Sequence, residues 1–290
     1  MSMPFYVAPE QWMKDKADFA RKGIARGRAL VALAYDEGIV ICAENSSSTL
    51  RKVSEIYDHI AFAGAGRYNE YDRLRIAGIR HADLKGYSFS REDVDAQSLA
   101  NAYAQMLGDV FTHEVKPMEV EILVAEVGNT TDDDRLFHVL YDGTVVDEKG
   151  YSVLGGDADV VTNRLEANYQ PSLTLDEALA AGLNALAGNR DLTANELEVA
   201  LLERGATHRA FRRLSVSQIA ALVGADESGA AGGSGSAADP DSSAEVEEAE
   251  GEAGEGEEAS SADESGSGTA KPASKPSKAS KASKSTKKKT

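Results

Sequence analysis

Apolar positions recur along this chain at spacings that change several times, and each change marks a predicted element. Met13, Ala17, Ala20 and Ile24 fall four, three and four residues apart, with Lys14, Asp18, Arg21 and Lys22 on the other side. That is the stripe of an amphipathic helix, predicted from roughly Glu10 to Ala25, with one face in need of a surface. Short apolar runs then take over at Leu30 to Tyr35 and Ile39 to Ala43, and the turn Asp36-Glu37-Gly38 between them predicts a hairpin. A second pair, Leu50 to Tyr57 and Ile60 to Ala63, is joined by Asp58-His59 and closed by Gly64-Ala65-Gly66. Helical spacing returns at about Tyr68 to Leu84 and Asp95 to Val115, the latter with Leu99, Tyr103, Met106 and Val110 on one side and Pro117 as its stop.

Alternation resumes with Val120, Ile122 and Val124. Strands are predicted at Leu136 to Tyr141, at Val145-Val146 after the turn Asp142-Gly143, and at Tyr151 to Leu154. Gly155-Gly156-Asp157 interrupts, with Asp157 an expected N-cap for a helix to about Tyr169. Thr174 and Glu177 have the spacing of a capping box for a helix over Leu175 to Leu186. Glu196 to Leu202 and His208 to Leu214 predict a last strand pair, and Ser215 caps a short helix to Val223. Blocks of antiparallel strands alternating with pairs of helices predict an α+β fold, two stacked sheets flanked by helices on both outer faces.

Composition changes the picture beyond about Gly224, where Val246 is the sole aliphatic larger than alanine and aromatics are absent. Such a stretch buries too little surface to offset its ordering entropy, which predicts a domain over 1–225 and a disordered tail over 226–290. The tail is acidic from Asp239 to Glu264 and Lys-rich from Lys271 onward, blocks of opposite sign that can meet each other, a partner or solvent alone. A formal net charge of −17 argues against a general nucleic-acid binder. The lone Cys42 excludes a disulfide framework and fits a reducing cytoplasm. No segment reaches the roughly 18 apolar residues of a membrane helix.

Candidate chemistry is sparse. Cys42 lies inside an apolar run and reads as a small buried hydrophobe rather than a nucleophile. The run Asp132-Asp133-Asp134 reads as a solvated turn, and Gly64-Ala65-Gly66 lacks the third glycine and the lysine of a phosphate loop. His59, His81, His113, His138 and His208 show no close-set pair of the kind zinc sites use, so no metal and no cofactor are expected.

Several segments carry a family likeness. Ala20-Arg21-Lys22-Gly23-Ile24-Ala25, Leu30 to Tyr35, Ala43-Glu44-Asn45 and Leu50 to Asp58 together resemble the alpha subunit of the actinobacterial 20S proteasome. So do Phe62 to Glu70, Leu99 to Gln105, Lys116 to Glu121 and Arg209 to Arg213, so that the likeness runs from residue 1 to about 224. It implies the four-layer αββα sandwich of N-terminal-nucleophile hydrolases, the architecture the element order predicts. It also implies a ring of seven alpha subunits stacked on catalytic beta subunits, an arrangement that a repeated heterologous interface closes. The opening helix, in this family, occupies the cleft that holds the active site of a beta subunit.

In the beta subunits a threonine heads the first strand, and its own α-amine takes the proton as its hydroxyl attacks. Here the internal residue Arg28 falls near that place, so the resemblance implies a non-catalytic subunit of a threonine-type endopeptidase complex. Residues 1–8, Met1, Ser2, Met3, Pro4, Phe5, Tyr6, Val7 and Ala8, carry no charged side chain and match the segment that closes the entrance pore on the ring axis. Residues 9–27 match the N-terminal helix. Lys52 matches a lysine that receives the C-terminal carboxylate of an activator, and Gly27 a glycine lining the same pocket. The implied partners are other alpha subunits, beta subunits, a ring-shaped AAA ATPase acting through its C-terminus, and unfolded proteins tagged with a small ubiquitin-like protein. Two further readings stand beside this one: a stand-alone hydrolase of the same fold, and a nucleic-acid-associated protein acting through its Lys-rich tail.

Overall fold

The computed structural model describes residues 8–228. Two five-stranded antiparallel sheets stack face to face. The first runs in the order β10-β9-β2-β1-β8 and the second β3-β4-β5-β6-β7. Their strands are β1 (Leu30–Tyr35), β2 (Gly38–Glu44), β3 (Val53–Tyr57), β4 (Ile60–Gly66), β5 (Val120–Glu126), β6 (Arg135–Val139), β7 (Val145–Glu148), β8 (Tyr151–Leu154), β9 (Leu197–Glu203) and β10 (Phe211–Arg213). The helices are α1 (Pro9–Ile24), α2 (Tyr68–Ser88), α3 (Ala96–His113), α4 (Ala158–Glu166), α5 (Leu175–Ala187) and α6 (Val216–Ser228).

Side-chain alternation builds the layers. Along β1, Leu30 and Ala32 turn inward to the second sheet, whereas Val31, Leu33 and Tyr35 turn outward and pack with Leu165, Leu179, Ala185 and Ile219 of α4, α5 and α6. Along β4 and β5, Phe62, Ile122 and Val124 face Leu74, Leu99, Tyr103 and Leu107 of α2 and α3. The layer between the sheets is rich in alanine, with Ala32, Ala43, Ala61, Ala63, Ala65, Ala125 and Ala200 all buried. The four layers are helices, sheet, sheet, helices.

Several predicted features shift, each for a local reason. The third strand starts at Val53 rather than Leu50, because the Asn45 side chain donates to the Leu50 carbonyl and Ser47 Oγ accepts from the Leu50 amide, bending the chain. Gly64-Ala65-Gly66 continues β4, paired with Ile122, Glu121 and Val120. Gly64 lies so close to Tyr71 that a Cβ would meet its ring carbon at 2.7 Å. Asp157 makes no side-chain cap, and α4 ends at Glu166. The capping box of Thr174 and Glu177 is present in full. In the run Asp132-Asp133-Asp134 the first two residues are exposed as expected, but the Asp134 side chain is only 4% exposed and pairs with Arg204 at 2.8 Å. The last helix runs to Ser228, past the predicted end at Val223. The remainder of the tail lies outside the described residues.

The opening helix packs across one end of the second sheet, where β4 ends and β5 begins. Ala20 and Ile24 are buried against Tyr141, flanked by Ala17 and Phe111. Its stripe contains a surprise: Lys16 is buried, with its ammonium donating to the carbonyls of Phe111 at 2.8 Å and Glu114 at 2.5 Å and lying 3.6 Å from the centre of the Trp12 ring. A cation there satisfies carbonyls that the end of α3 leaves without partners.

Candidate docking site

Residues 25–29 join α1 to β1. The turn begins as the Gly27 amide donates to the Ile24 carbonyl at 2.8 Å, and the Gly27 carbonyl accepts from the Gly156 amide at 2.9 Å. Gly27 has no room for a side chain, since a Cβ would lie 2.8 Å from the Gly66 nitrogen. A Cβ on Gly155 would lie 3.0 Å from the Arg28 carbonyl oxygen. The joint is therefore packed backbone to backbone, with glycines on each contacting segment.

Lys52 reaches this joint from the start of β3. Its half-buried side chain donates from Nζ to the Arg28 carbonyl oxygen at 2.5 Å. Gly27 and Lys52, the two predicted pocket residues, are thus brought together through one residue, Arg28. Of the predicted gate residues, Ala8 is exposed and directly precedes α1, while residues 1–7 lie outside the described residues.

Two buried carboxylates surround Lys52. Glu44, at the end of β2, is 5% exposed and is held bidentately by Arg190 at 2.9 and 3.0 Å and by Arg28 Nη1. Glu198, inside β9, accepts from Arg213, from Asn45 Nδ2 at 2.7 Å and from the Lys52 backbone amide at 2.9 Å. Burial opposes the charge on Glu44, but the guanidiniums of Arg190 and Arg28 outweigh it and hold its pKa below the ordinary carboxylate range. Burial pushes the Lys52 ammonium down to about 8, with Arg28 acting in the same direction and Glu44 and Glu198 against it. Beside the joint an open cleft of about 480 Å³ is lined by Gly27, Arg28, Glu44, Asp157, Arg164 and Arg190.

Sequence pattern missed Glu44, Glu198, Arg190 and Arg213. Glu198 left a signal, since it shares an inward face with Ala200 and Leu202, where an apolar residue is the rule. The arginines arrive from distant segments and left none. Cys42 behaves as expected of a buried hydrophobe: it is fully buried and burial pushes its thiol up to about 12. Among the described residues no group of three or more His, Cys, Asp or Glu could hold a metal ion, and no helix is long and apolar enough to cross a membrane.

This arrangement presents an ammonium whose neighbouring carboxylates already have arginine partners. It is suited to receiving a further carboxylate. It is unsuited to self-activated threonine chemistry, because the head of β1 is internal peptide with its carbonyls engaged.

Comparison with known proteins decides the family. The family model for "Proteasome subunit" matches residues 24–202. The chain belongs to the proteasome subunit family. It is similar to the proteasome subunit alpha of Acidimicrobium ferrooxidans, at 59% identity over 232 residues, 80% of this chain and 100% of the relative. The proteasome subunit alpha of Thermobifida fusca is 53% identical over 77% of this chain and 91% of its own length, and that of Saccharopolyspora erythraea 50% identical over 81% and 94%. This proteasome subunit is accordingly of the alpha kind, and its two sheets between helical layers are the sandwich expected of the family.

Proposed function

We propose that the chain is a non-catalytic alpha subunit that forms the outer seven-membered rings of a bacterial 20S proteasome core in the cytoplasm. Its rings stack on threonine-bearing beta subunits, its residues 1–8 gate the admission of unfolded, tagged protein, and its Lys52 and Gly27 receive the C-terminal carboxylate of a ring-shaped ATPase. The observation that carries the reading is the convergence of Gly27 and Lys52 on Arg28 at the head of β1. There the free α-amine that would take the proton from a threonine hydroxyl is replaced by continuous peptide, and a lysine stands ready for an anion. The high identity to alpha subunits supports it from the other side.

The test is Lys52→Ala in the assembled particle. ATPase-stimulated proteolysis is expected to disappear while the particle's mass in native mass spectrometry is unchanged. Stimulation that survives the substitution removes Lys52 from the docking site. Gly27 is the weaker probe, because its contact with Gly66 confounds docking with packing.

A further inference from the structure

The cleft beside the joint carries a set of charges to which Lys52 does not belong. Three arginines line it from three separate segments: Arg28 ahead of β1, Arg164 in α4 and Arg190 beyond α5. Glu44 and Asp157 are the acidic residues in its lining, so three positive charges face two negative ones and one positive charge is left over. Glu44 is already matched. The fork of Arg190 covers both its oxygens at 2.9 and 3.0 Å, and Arg28 Nη1 adds a further contact.

The structural tasks of these arginines leave donors over. Arg190 Nη2 and Arg164 Nη1 donate to the carbonyls of Leu186 at 3.1 Å and Ala185 at 3.2 Å, in the last turn of α5, where carbonyls lack helical partners. Among the described residues, Nε and Nη2 of both Arg28 and Arg164 have no hydrogen-bond partner. The chain also makes room for Arg164, since Gly188, at φ +58 beyond α5, stands where a Cβ would overlap its guanidinium. Beside these cations Val160 lines the cleft as a large apolar side chain left 46% exposed.

We propose that this cleft binds a phosphate group, held by the free donors of Arg28 and Arg164 beside Arg190. A carboxylate is satisfied by one guanidinium fork, as Glu44 is by Arg190. A phosphate spreads more acceptor oxygens over a tetrahedron and suits donors that arrive from several directions. The cleft, at about 480 Å³, is larger than the anion itself, and Val160 offers an apolar wall to the organic part of an ester. Lys52 is engaged on the Arg28 carbonyl and is absent from the cleft's lining, so the site is separate from docking at Lys52.

Calorimetric titration of the assembled particle without activator tests the site, with inorganic phosphate, O-phosphoserine and serine as probes at constant ionic strength. Both phosphates are expected to bind once per alpha chain, and serine not at all. Tighter binding of phosphoserine assigns the site to phosphate esters, and tighter binding of inorganic phosphate to the free anion. Arg164→Met is expected to weaken both by about tenfold or more, the scale of one charge-assisted hydrogen bond. Lys52→Ala is expected to keep the binding. Phosphates that fail to bind the parent particle, or that bind it and Arg164→Met equally, overturn the proposal. Loss of binding in Lys52→Ala with binding intact in Arg164→Met places the anion at Lys52 and overturns it too. Where Arg164→Met does not assemble, Arg164→Lys keeps a donor for the Ala185 carbonyl and loses the fork. It is expected to weaken phosphate several-fold, and an unchanged affinity overturns the site.

Discussion

Glu198 offers the sharpest test of how the site is built. It is 2% exposed and anchors four groups: Arg213, Asn45, and the backbone amides of Lys52 at 2.9 Å and Val53 at 3.4 Å. Glu198→Ala leaves these unequally affected. Asn45 Nδ2 keeps the Leu50 carbonyl at 2.7 Å, and Arg213 keeps the Val53 carbonyl at 2.6 Å and is 27% exposed, so both retain a partner. The Lys52 amide has no second acceptor, and an orphaned buried donor costs about 1–3 kcal/mol. Breaking a buried ion pair by removing one member costs about 3–5 kcal/mol in all, and the residual partners place this case near the low end, at about 3 kcal/mol. For a domain of this size that lowers the unfolding midpoint by about 6–12 °C. Thermal unfolding of the assembled particle at fixed concentration reads it, since subunit stability and assembly are linked. Glu198→Gln keeps an acceptor for the Lys52 amide and is expected to lose about half as much. A drop of less than about 3 °C for the alanine variant would falsify the assignment of Glu198 as the anchor of β3.

Three further outcomes follow from the same contacts. With its folded pKa near 8 against an ordinary 10.5, Lys52 binds fewer protons folded than unfolded between those values, so its contribution to stability rises with pH across that window. Docking runs the opposite way: ATPase-stimulated peptidase activity falls as pH rises through about 8 and holds to higher pH in Lys52→Arg, a difference that parallel pH profiles reveal. Gly27→Ala drives a methyl against the Gly66 backbone and costs about 1–3 kcal/mol, visible as a lower unfolding midpoint, so an unchanged midpoint with lost stimulation points instead to a pure docking role. Tyr103 carries a buried hydroxyl with no hydrogen-bond partner among the described residues, packed on Gly78, and burial pushes its pKa up; Tyr103→Phe therefore leaves the midpoint equal or raised, and a clear drop refutes this reading of the hydroxyl.

The elements were legible wherever burial follows a simple period. The apolar runs of β1 and β2, the alternation of β5 and the capping box of α5 are local patterns, and the structure keeps them. Element ends were less legible, because they are set by partners far along the chain. The start of β3 depends on Asn45 and Glu198, and the end of β4 on α2 and β5. The candidate site divides in the same way. Lys52 and Gly27 were reached through resemblance, and no spacing in the sequence joins them. Their meeting at Arg28 requires two sheets, one helix and four glycines to be in place, which no local window contains. Lys16 is the clearest misfit to the periodic reading: a charge on the buried face of α1 is tolerable only because the end of α3 supplies carbonyls for it.

Lys16 also bears on how α1 can respond to its own ends. Midway along the helix its ammonium ties α1 to the carbonyls of Phe111 and Glu114, and a turn later Ala20 and Ile24 are buried with Tyr141. A rigid helix pinned at its middle does not slide along its axis without breaking those contacts. The C-terminal end of the helix runs into the joint at residues 25–29. There glycines take the place of interlocking side chains, and the Lys52 ammonium holds the Arg28 carbonyl. Continuous peptide through the head of β1 leaves no free α-amine there for self-activated threonine chemistry.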